Sequence, residues 1–235
     1  LGANFGPYHS LNFYHKYEDF FKNCDDICFR DKNSYHLFKH LPNVRYANDV
    51  VFTQPVDHVN KTVATIVISV IYPSIRKELQ DINDAYFNTL ASLAVACMNE
   101  GYNIVWMAFC KQEKDDQAIE QIYKLIHPQY YSHMMSFDYE TDIATALQLI
   151  AQANAVIATR FHAMILSLLY ENPTFAIIYS NKMLTVIEDN ALTIPHCHIK
   201  QCYGENVIKK MRTACSQDAI SVEYQINDAE NQFRI

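Results

Sequence analysis

The chain has 235 residues, of which 50% are hydrophobic and 13% aromatic, enough for one large domain or one and a half smaller ones. Its formal net charge of −7 argues against a nucleic-acid partner, because an acidic surface repels phosphate backbones. With only 4 glycines, a glycine-rich nucleotide loop is not expected, since a G-x-G-x-x-G motif alone uses three of them.

The cysteines and the apolar stretches predict a cytoplasmic protein. The 7 cysteines are an odd number scattered through apolar segments, so a reducing compartment fits better than a secreted disulfide framework. The longest apolar stretch, 144–170, is interrupted by Arg160 and His162, and neither part reaches the ~20 residues of a membrane helix. No transmembrane segment and no signal peptide are predicted, and an association with the inner face of a membrane through a partner stays open.

Residues 1–57 are predicted to be the remnant of an N-terminal Rossmann-like lobe. The region is too small for a whole α/β domain, and it begins at Leu1, without Met, in what reads as a strand end. We therefore expect the chain to be an incomplete fragment. The predicted elements are strands at 27–30, 44–46 and 50–52, a helix at 34–41 and a linker at 53–61.

Residues 58–215 are predicted to form a C-terminal Rossmann-like lobe, because strands alternate with helices as in βαβ units. The segment 63–72 is almost wholly apolar and β-branched, as expected for a strand buried on both faces of a parallel sheet. Residues 216–235 are polar and predict a C-terminal tail, either flexible or crossing back to the other lobe. The predicted strands are 63–72, 103–109, 131–137, 155–159 and 174–179, and the predicted helices are 81–99, 115–126, 141–153, 161–170 and 182–189.

Ligands of open parallel sheets bind beyond the carboxyl ends of the strands, and cations recur at those ends here. Arg160 and His162 stand out, because an apolar strand turns there directly into an apolar helix, whose N-terminus favours anions. A buried arginine needs an anionic partner, and a histidine suits general acid or base catalysis. The alternative stays open that Arg160 pairs with a buried carboxylate of the protein and His162 is a core residue.

Other candidates follow neighbouring strands. Lys182 and Ser180 come after the strand at 174–179, where a helix cap with an exposed lysine is the alternative. Arg30 and Asp31 stand at the end of the first strand, where an ordinary surface ion pair is the alternative. The remaining candidates are Asp49, which follows the strand at 44–46, and Asn4 and Tyr8, which stand in a turn flanked by Gly2 and Gly6.

No metal and no cofactor are predicted. His196, Cys197, His198 and Cys202 are potential ligands, but their spacing matches no standard zinc pattern and adjacent ligands point apart in an extended chain. The chain has no G-x-S-x-G elbow and no G-x-x-x-x-G-K-[ST] loop, so hydrolase and P-loop functions lose their usual support.

Several blocks resemble the polysaccharide pyruvyl transferase family in order and spacing. The resemblance runs from residue 1 to about residue 189, and the R-x-H block at Arg160 and His162 is its most specific part. The first block of the family, a G-x-x-N-x-G-D-like strand and turn, is missing from this chain. The matching blocks are 2–8, 28–31 with Ser34, 48–52, 158–166 and 179–182.

The resemblance implies a two-lobed fold of the GT-B glycosyltransferase type. It implies a transferase that moves the pyruvyl group of phosphoenolpyruvate to hydroxyls of a saccharide, as a ketal, with release of phosphate. The acceptor would be a polysaccharide or its lipid-linked precursor. Two alternatives from other classes stay open: a GT-B glycosyltransferase using a nucleotide sugar, and a non-catalytic sugar- or anion-binding module, since a fold does not fix a function.

The resemblance also implies roles for the candidate residues. Arg160 and Arg30, assisted by Lys182, would bind the carboxylate and the phosphate of the donor. His162 would act as the general acid, and Asp31 or Asp49 would orient an arginine or accept the hydroxyl proton. The expected catalytic residues are His162, Arg160 and Asp31, and the expected substrate-binding residues are Arg30, Lys182, Asn4, Tyr8, Ser180 and Asp49.

Overall fold

The computed structural model describes residues 2–6, 8–56, 59, 61 and 63–234, and the chain forms two compact units. The first unit combines Leu1–Pro55 with Thr185–Leu192 and Ser221–Ile235, and the second combines Val56–Leu184 with Thr193–Ile220. The boundary predicted between residues 57 and 58 falls on residues outside the described part of the chain.

The first unit is a small α/β structure around a two-stranded parallel sheet, in which Ile27 pairs with Val44 and Phe29 with Tyr46. Its apolar core is largely aromatic and includes Phe21, Phe29 and Phe38. The elements of its N-terminal part are α1 (Leu11–Lys22), β1 (Ile27–Phe29), α2 (Lys32–Phe38), β2 (Val44–Tyr46) and a 3-10 helix (Val50–Thr53).

The strand predicted at 50–52 is wrong, because this segment is the 3-10 helix. The side chain of Asp49 accepts a hydrogen bond from Val51 N at 3.0 Å, and its carbonyl accepts one from Phe52 N at 2.9 Å. An aspartate that bonds to the backbone ahead of it favours a turn over an extended conformation. The local capping contact therefore outweighs the β propensity of two valines and a phenylalanine.

The C-terminal segment is an anchored part of the first unit from Ser221 onwards, whereas residues 216–220 belong to the second unit. The buried side chain of Gln232 donates to Ala47 O at 2.8 Å and to Asn48 O at 3.1 Å, and accepts from Gly2 N at 2.8 Å. Asn48 N also donates to the carboxylate of Asp228 at 2.8 Å. The segment contains α9 (Glu223–Ala229) and a 3-10 helix (Glu230–Phe233), and it packs in the first unit, in keeping with the second of the two possibilities that the sequence left open for it.

The second unit is built on a six-stranded, fully parallel sheet with helices between the strands. Its elements are β3 (Thr65–Ser69), α3 (Asn83–Asn99), β4 (Asn103–Ala108), α4 (Asp115–Leu125), β5 (Met134–Asp138), α5 (Ile143–Gln152), β6 (Ala155–Ala158), α6 (Phe161–Leu169), β7 (Thr174–Ile178), β8 (His196–His198) and α8 (Glu205–Cys215). The helix α7 (Asn181–Asp189) begins in this unit, and its residues from Thr185 on belong to the first.

The strand order is β5-β4-β3-β6-β7-β8, so the chain starts in the middle of the sheet, winds to one edge, and crosses back to fill the other half. This is the doubly wound order of Rossmann-like folds, and the direction reverses between β3 and β6. β6 and β7 are buried along their whole length and β3 and β4 apart from their first residues, with Ile68, Trp106, Ile157 and Phe175 almost fully inaccessible. The fold therefore has its topological switch point at the carboxyl ends of β3 and β6.

The segment 194–204, for which the sequence predicts no strand, contains the strand β8 at the edge of the sheet. His196 and His198 are exposed and Cys197, between them, is half-buried, which is the alternation expected of an edge strand. In the described part of the chain, no group of three or more His, Cys, Asp or Glu side chains is placed to hold a metal ion.

Among the helices that the structure describes, none is both long and apolar enough to span a lipid bilayer.

Candidate functional site

At the switch point of the second unit, the buried hydroxyl of Ser69 joins the end of β3 to the residues that follow β6. Ser69, the last residue of β3, accepts hydrogen bonds through Oγ from Thr159 N at 3.0 Å and from Arg160 N at 3.1 Å. Arg160 then has extended dihedral angles as the residue preceding α6. These bonds fix the sharp transition from β6 to α6, so that Arg160 and His162 follow the carboxyl end of a central strand, as the sequence predicted.

The guanidinium of Arg160 is buried and paired with carboxylates of the protein. Its Nε donates to Asp115 Oδ2 at 2.9 Å, its Nη2 pairs with Asp115 Oδ1, and its Nη1 donates to Glu113 Oε2 at 2.7 Å. Asp115 is fully buried and also accepts from the backbone N–H groups of Phe109 and Cys110, at 3.0 and 2.9 Å. Burial alone would lower the pKa of Arg160, but the hydrogen bonds to Asp115 raise it above its ordinary value, so the side chain stays charged.

A second arginine shares the carboxylate of Glu113. Arg76 Nη2 donates to Glu113 Oε2 at 2.8 Å, and its guanidinium carbon lies 4.5 Å from the ring centroid of Tyr179. Burial would raise the pKa of Glu113, but the hydrogen bonds from Arg76 and Arg160 lower it on balance, so the carboxylate is ionised. Arg76 Nη1 is buried and has no hydrogen-bond partner among the described residues.

His162 and Lys182 both lie beside the first residue of α6. His162 is exposed in the first turn of the helix, unlike the core histidine of the alternative interpretation. Lys182 Nζ lies 4.0 Å from the ring centroid of Phe161, which directly precedes His162. Ser180 is half-buried immediately before α7. The second unit therefore gathers a histidine, a lysine and an arginine at adjacent strand ends.

The first unit brings together three of the predicted residues, Arg30, Asp49 and Asn4. Arg30 follows β1, and its Nη1 donates to Asp49 Oδ2 at 2.6 Å while its Nη2 donates to Asn4 Oδ1 at 3.2 Å. Asp49 is buried, and Asn4 reaches this place because Ala3 pairs with Phe29 in a parallel bridge alongside β1. Of the two carboxylates that were candidates to orient an arginine, Asp49 is the one that holds Arg30.

Asp31 has a different local role, as the N-cap of α2. Its Oδ1 accepts from Ser34 N at 2.8 Å and its Oδ2 accepts from Ser34 Oγ at 2.7 Å. Ser34 Oγ in turn accepts from Phe5 N at 2.7 Å. Both oxygens of Asp31 are thus used in capping, so the surface ion pair with Arg30 that the sequence offered as an alternative is not what the described residues show.

The turn predicted at 2–8 is described only in part, because Pro7 lies outside the described residues. Tyr8 is half-buried, with its ring centroid 5.3 Å from that of Phe5. Gly2 has φ +60° and Gly6 has φ +112°, conformations that other residues rarely adopt.

Sequence reasoning missed the residues that position Arg160. Ser69 could have been noticed as a hydroxyl residue inside an apolar strand, and Asp115 as a buried carboxylate at the start of α4. Arg76 follows the predicted strand 63–72 in the sequence and is one of the cations that recur after strands. Nothing in the sequence indicated that Glu113 and Asp115 pair with Arg160, which lies more than forty residues later in the chain.

These features define an α/β protein with a Rossmann-like sheet, and three solved glycosyltransferase-fold structures are similar to it. The E. coli ADP-heptose LPS heptosyltransferase II has a TM-score of 0.52 at 16% identity, with 68% of this chain and 48% of that chain covered. A glycosyltransferase from Rickettsia africae ESF-5 has a TM-score of 0.51 at 11% identity, with 99% and 68% covered. A UDP-forming trehalose-phosphate synthase from Burkholderia xenovorans has a TM-score of 0.51 at 10% identity, with 94% and 60% covered.

At such identities these structures bear on the fold alone, and they confirm the predicted α/β, Rossmann-like class with its likeness to GT-B glycosyltransferases. The chain spans 48% of the length of the heptosyltransferase.

The family is shown by sequence. The profile of the polysaccharide pyruvyl transferase family matches residues 1–181, which is most of the chain and includes the R-x-H block. The chain belongs to the polysaccharide pyruvyl transferase family. No curated protein sequence matches it.

Proposed function

We propose that this chain carries the site at which an enzyme transfers the pyruvyl group of phosphoenolpyruvate to hydroxyls of a saccharide, forming a pyruvate ketal. Family membership supports a transferase acting on a polysaccharide. The observation that carries the proposal is the exposed His162 two residues after the buried, charged Arg160, at the switch point of the sheet. The acceptor is a polysaccharide or its lipid-linked precursor, which would bring the enzyme to the inner face of the membrane.

Donor binding needs two clusters of positive charge, because phosphoenolpyruvate carries both a carboxylate and a phosphate. In this proposal Arg160 and Lys182 supply positive charge for the donor, and Arg30 stays a further predicted donor-binding residue. Asp49 and Asn4 hold the guanidinium of Arg30 in a defined orientation. Asp31 contributes indirectly, since it caps the helix that follows Arg30.

In the proposed mechanism, His162 transfers a proton to the donor. As a general acid, His162 gives a proton to the methylene carbon of the donor, and the carbon that bears the carboxylate becomes electrophilic. One sugar hydroxyl oxygen bonds to that carbon, the bond to the phosphate oxygen breaks, and a second hydroxyl completes the ketal. Of the two hydroxyl protons, one restores His162 and the other leaves with the phosphate.

The test is phosphate release from phosphoenolpyruvate with a panel of lipid-linked sugars. His162→Ala should abolish turnover without changing the unfolding midpoint, because the side chain is exposed and its loss leaves no cavity. His133→Ala is the matched control, since His133 is also exposed in the second unit but precedes β5 at the amino edge of the sheet. Normal turnover in His162→Ala would rule out this residue as the acid.

A thermal-shift comparison separates the proposal from its alternatives. A ligand that binds only the folded protein raises its melting temperature, and at a given concentration the shift grows with the logarithm of its affinity. Phosphoenolpyruvate should stabilise the protein, and UDP should not. Stabilisation by UDP alone would favour a glycosyltransferase, and stabilisation without turnover on any acceptor would favour a non-catalytic binding module.

A further inference from the structure

One carboxylate oxygen in the second unit bridges two arginines. Glu113 Oε2 accepts from Arg160 Nη1 at 2.7 Å and from Arg76 Nη2 at 2.8 Å. The cluster of Arg76, Arg160, Glu113 and Asp115 thus holds two positive and two negative charges. Since Asp115 alone balances Arg160, the carboxylate of Glu113 is the charge that balances Arg76.

The two carboxylates of this cluster differ in how firmly they are held. Asp115 is fully buried and accepts two backbone N–H groups besides the guanidinium of Arg160. The side chain of Glu113 is 35% exposed, and among the described residues it accepts hydrogen bonds from the two arginines and from no backbone group. Glu113 also ends the short 3-10 helix Lys111–Glu113. The carboxylate of Glu113 is therefore held by fewer contacts than that of Asp115 and is the more accessible of the two.

Arg76 has donor capacity that the protein does not use. Its Nη1 is buried and finds no acceptor in the described part of the chain, which is costly for a charged group. Its guanidinium lies against the ring of Tyr179, so its plane is fixed. A ligand with several oxygens could accept from Nη1 and Nη2 of Arg76 and from Nη1 of Arg160 together.

We propose that a phosphate group binds between Arg76 and Arg160 in the place of the Glu113 carboxylate. Arg76 is then a binding residue for the phosphate of the donor, and Glu113 is an internal competitor that the phosphate displaces. A phosphate dianion carries more charge and more acceptor oxygens than one carboxylate, so it outcompetes Glu113 at two arginines. The inference rests on the proposed function for the identity of the donor, but the site itself requires only a phosphate.

The experiment measures the dissociation constant of inorganic phosphate by calorimetry. Glu113→Gln should tighten phosphate binding about tenfold, because the charged competitor is gone, and Arg76→Gln should weaken it by a similar factor. Arg76→Lys serves as a second variant that keeps the charge and removes the paired N–H groups. The matched control is Glu100→Gln, which removes the exposed partner of Arg212 in the same unit and should leave phosphate affinity unchanged.

Three outcomes would overturn the assignment. The first is unchanged or weaker phosphate binding in Glu113→Gln, and the second is unchanged phosphate binding in both Arg76 variants. The third is binding of pyruvate, which has only a carboxylate, by a protein that does not bind phosphate. The pyruvyl transfer assay keeps the two proposals apart. Tighter phosphate binding in Glu113→Gln without any transfer from phosphoenolpyruvate leaves this site standing and removes the proposed function. Pyruvyl transfer by the wild-type protein, with phosphate binding unaltered in the variants, would support the proposed function and remove this phosphate site.

Discussion

Two arginines in this molecule occupy equivalent places, one in each unit. Arg30 directly follows β1 and Arg160 follows β6 after one residue, and each is paired with a buried aspartate, Asp49 and Asp115 respectively. The side chain of Asp49 also accepts one backbone N–H, from Val51, and that of Asp115 accepts two, from Phe109 and Cys110. The shared arrangement shows that the protein orients a strand-end arginine with its own carboxylate, before any ligand contributes.

The two arginines differ in their second partner. Arg30 donates to the neutral amide of Asn4, whereas Arg160 donates to the charged Glu113 and shares it with another arginine. The side chain of Arg160 is 9% exposed and that of Arg30 is 18% exposed. Because Arg160 is more buried, we expect its pairing with Asp115 to matter more for stability than that of Arg30 with Asp49. The additional carboxylate of Glu113 is the group that the proposed phosphate would replace.

The largest effect is expected from Asp115→Asn. It leaves the buried guanidinium of Arg160 without its main counter-charge, so the free energy of unfolding of the second unit should fall by about 3–5 kcal/mol. Trp106, the single tryptophan of the chain, is fully buried in β4 and reports on this unit by fluorescence during denaturation. Asp116→Asn, on the next residue of α4, is the control. A loss under about 1 kcal/mol would mean that Asp115 is not the essential partner of Arg160.

A smaller loss, about 1.5–3 kcal/mol, is expected from Asp49→Asn, because Arg30 is more exposed and keeps its bond to Asn4. The damage should be local to the first unit. Hydrogen exchange of peptides covering 27–55 should speed up, most of all at the amide of Val51, which donates to Asp49. If Asp49→Asn destabilised the protein more than Asp115→Asn, burial would not be what distinguishes the two pairs.

The sequence predicted the second unit better than the first, and for a physical reason. Strands buried on both faces need continuous apolar runs, so the predicted strand at 174–179 agrees with β7 at Thr174–Ile178 to within one residue. Neither the sequence of α1 nor that of the three-residue β8 contains a continuous apolar run, and neither element was predicted. The strand predicted at 50–52 failed because a single side-chain contact from Asp49 decides that conformation.

For the site, the expectation that functional residues follow the carboxyl ends of parallel strands located several side chains, but it did not identify the residues that they contact. It placed Arg160, Arg30 and Asp49 where the structure has them, because the carboxyl ends of parallel strands lie on one edge. It did not reveal that Asp115 holds Arg160, since that contact joins segments 45 residues apart. The roles of these residues in catalysis remain predictions.

The smallest effect is a change in pH dependence. Arg76 and Arg160 hold the pKa of Glu113 below its ordinary value of 4.5, so Glu113 contributes its full stabilisation above that pH and loses it as pH falls through the lowered pKa. In Glu113→Gln this contribution is absent at every pH. The difference in unfolding midpoint between the wild-type protein and the variant, followed by Trp106 fluorescence, should therefore shrink as pH falls below about 4.5. A difference that stays constant from neutral pH into the acid range would show that the arginines do not stabilise the ionised form of Glu113, and that this carboxylate, unlike Asp49 and Asp115, contributes nothing to holding a strand-end arginine.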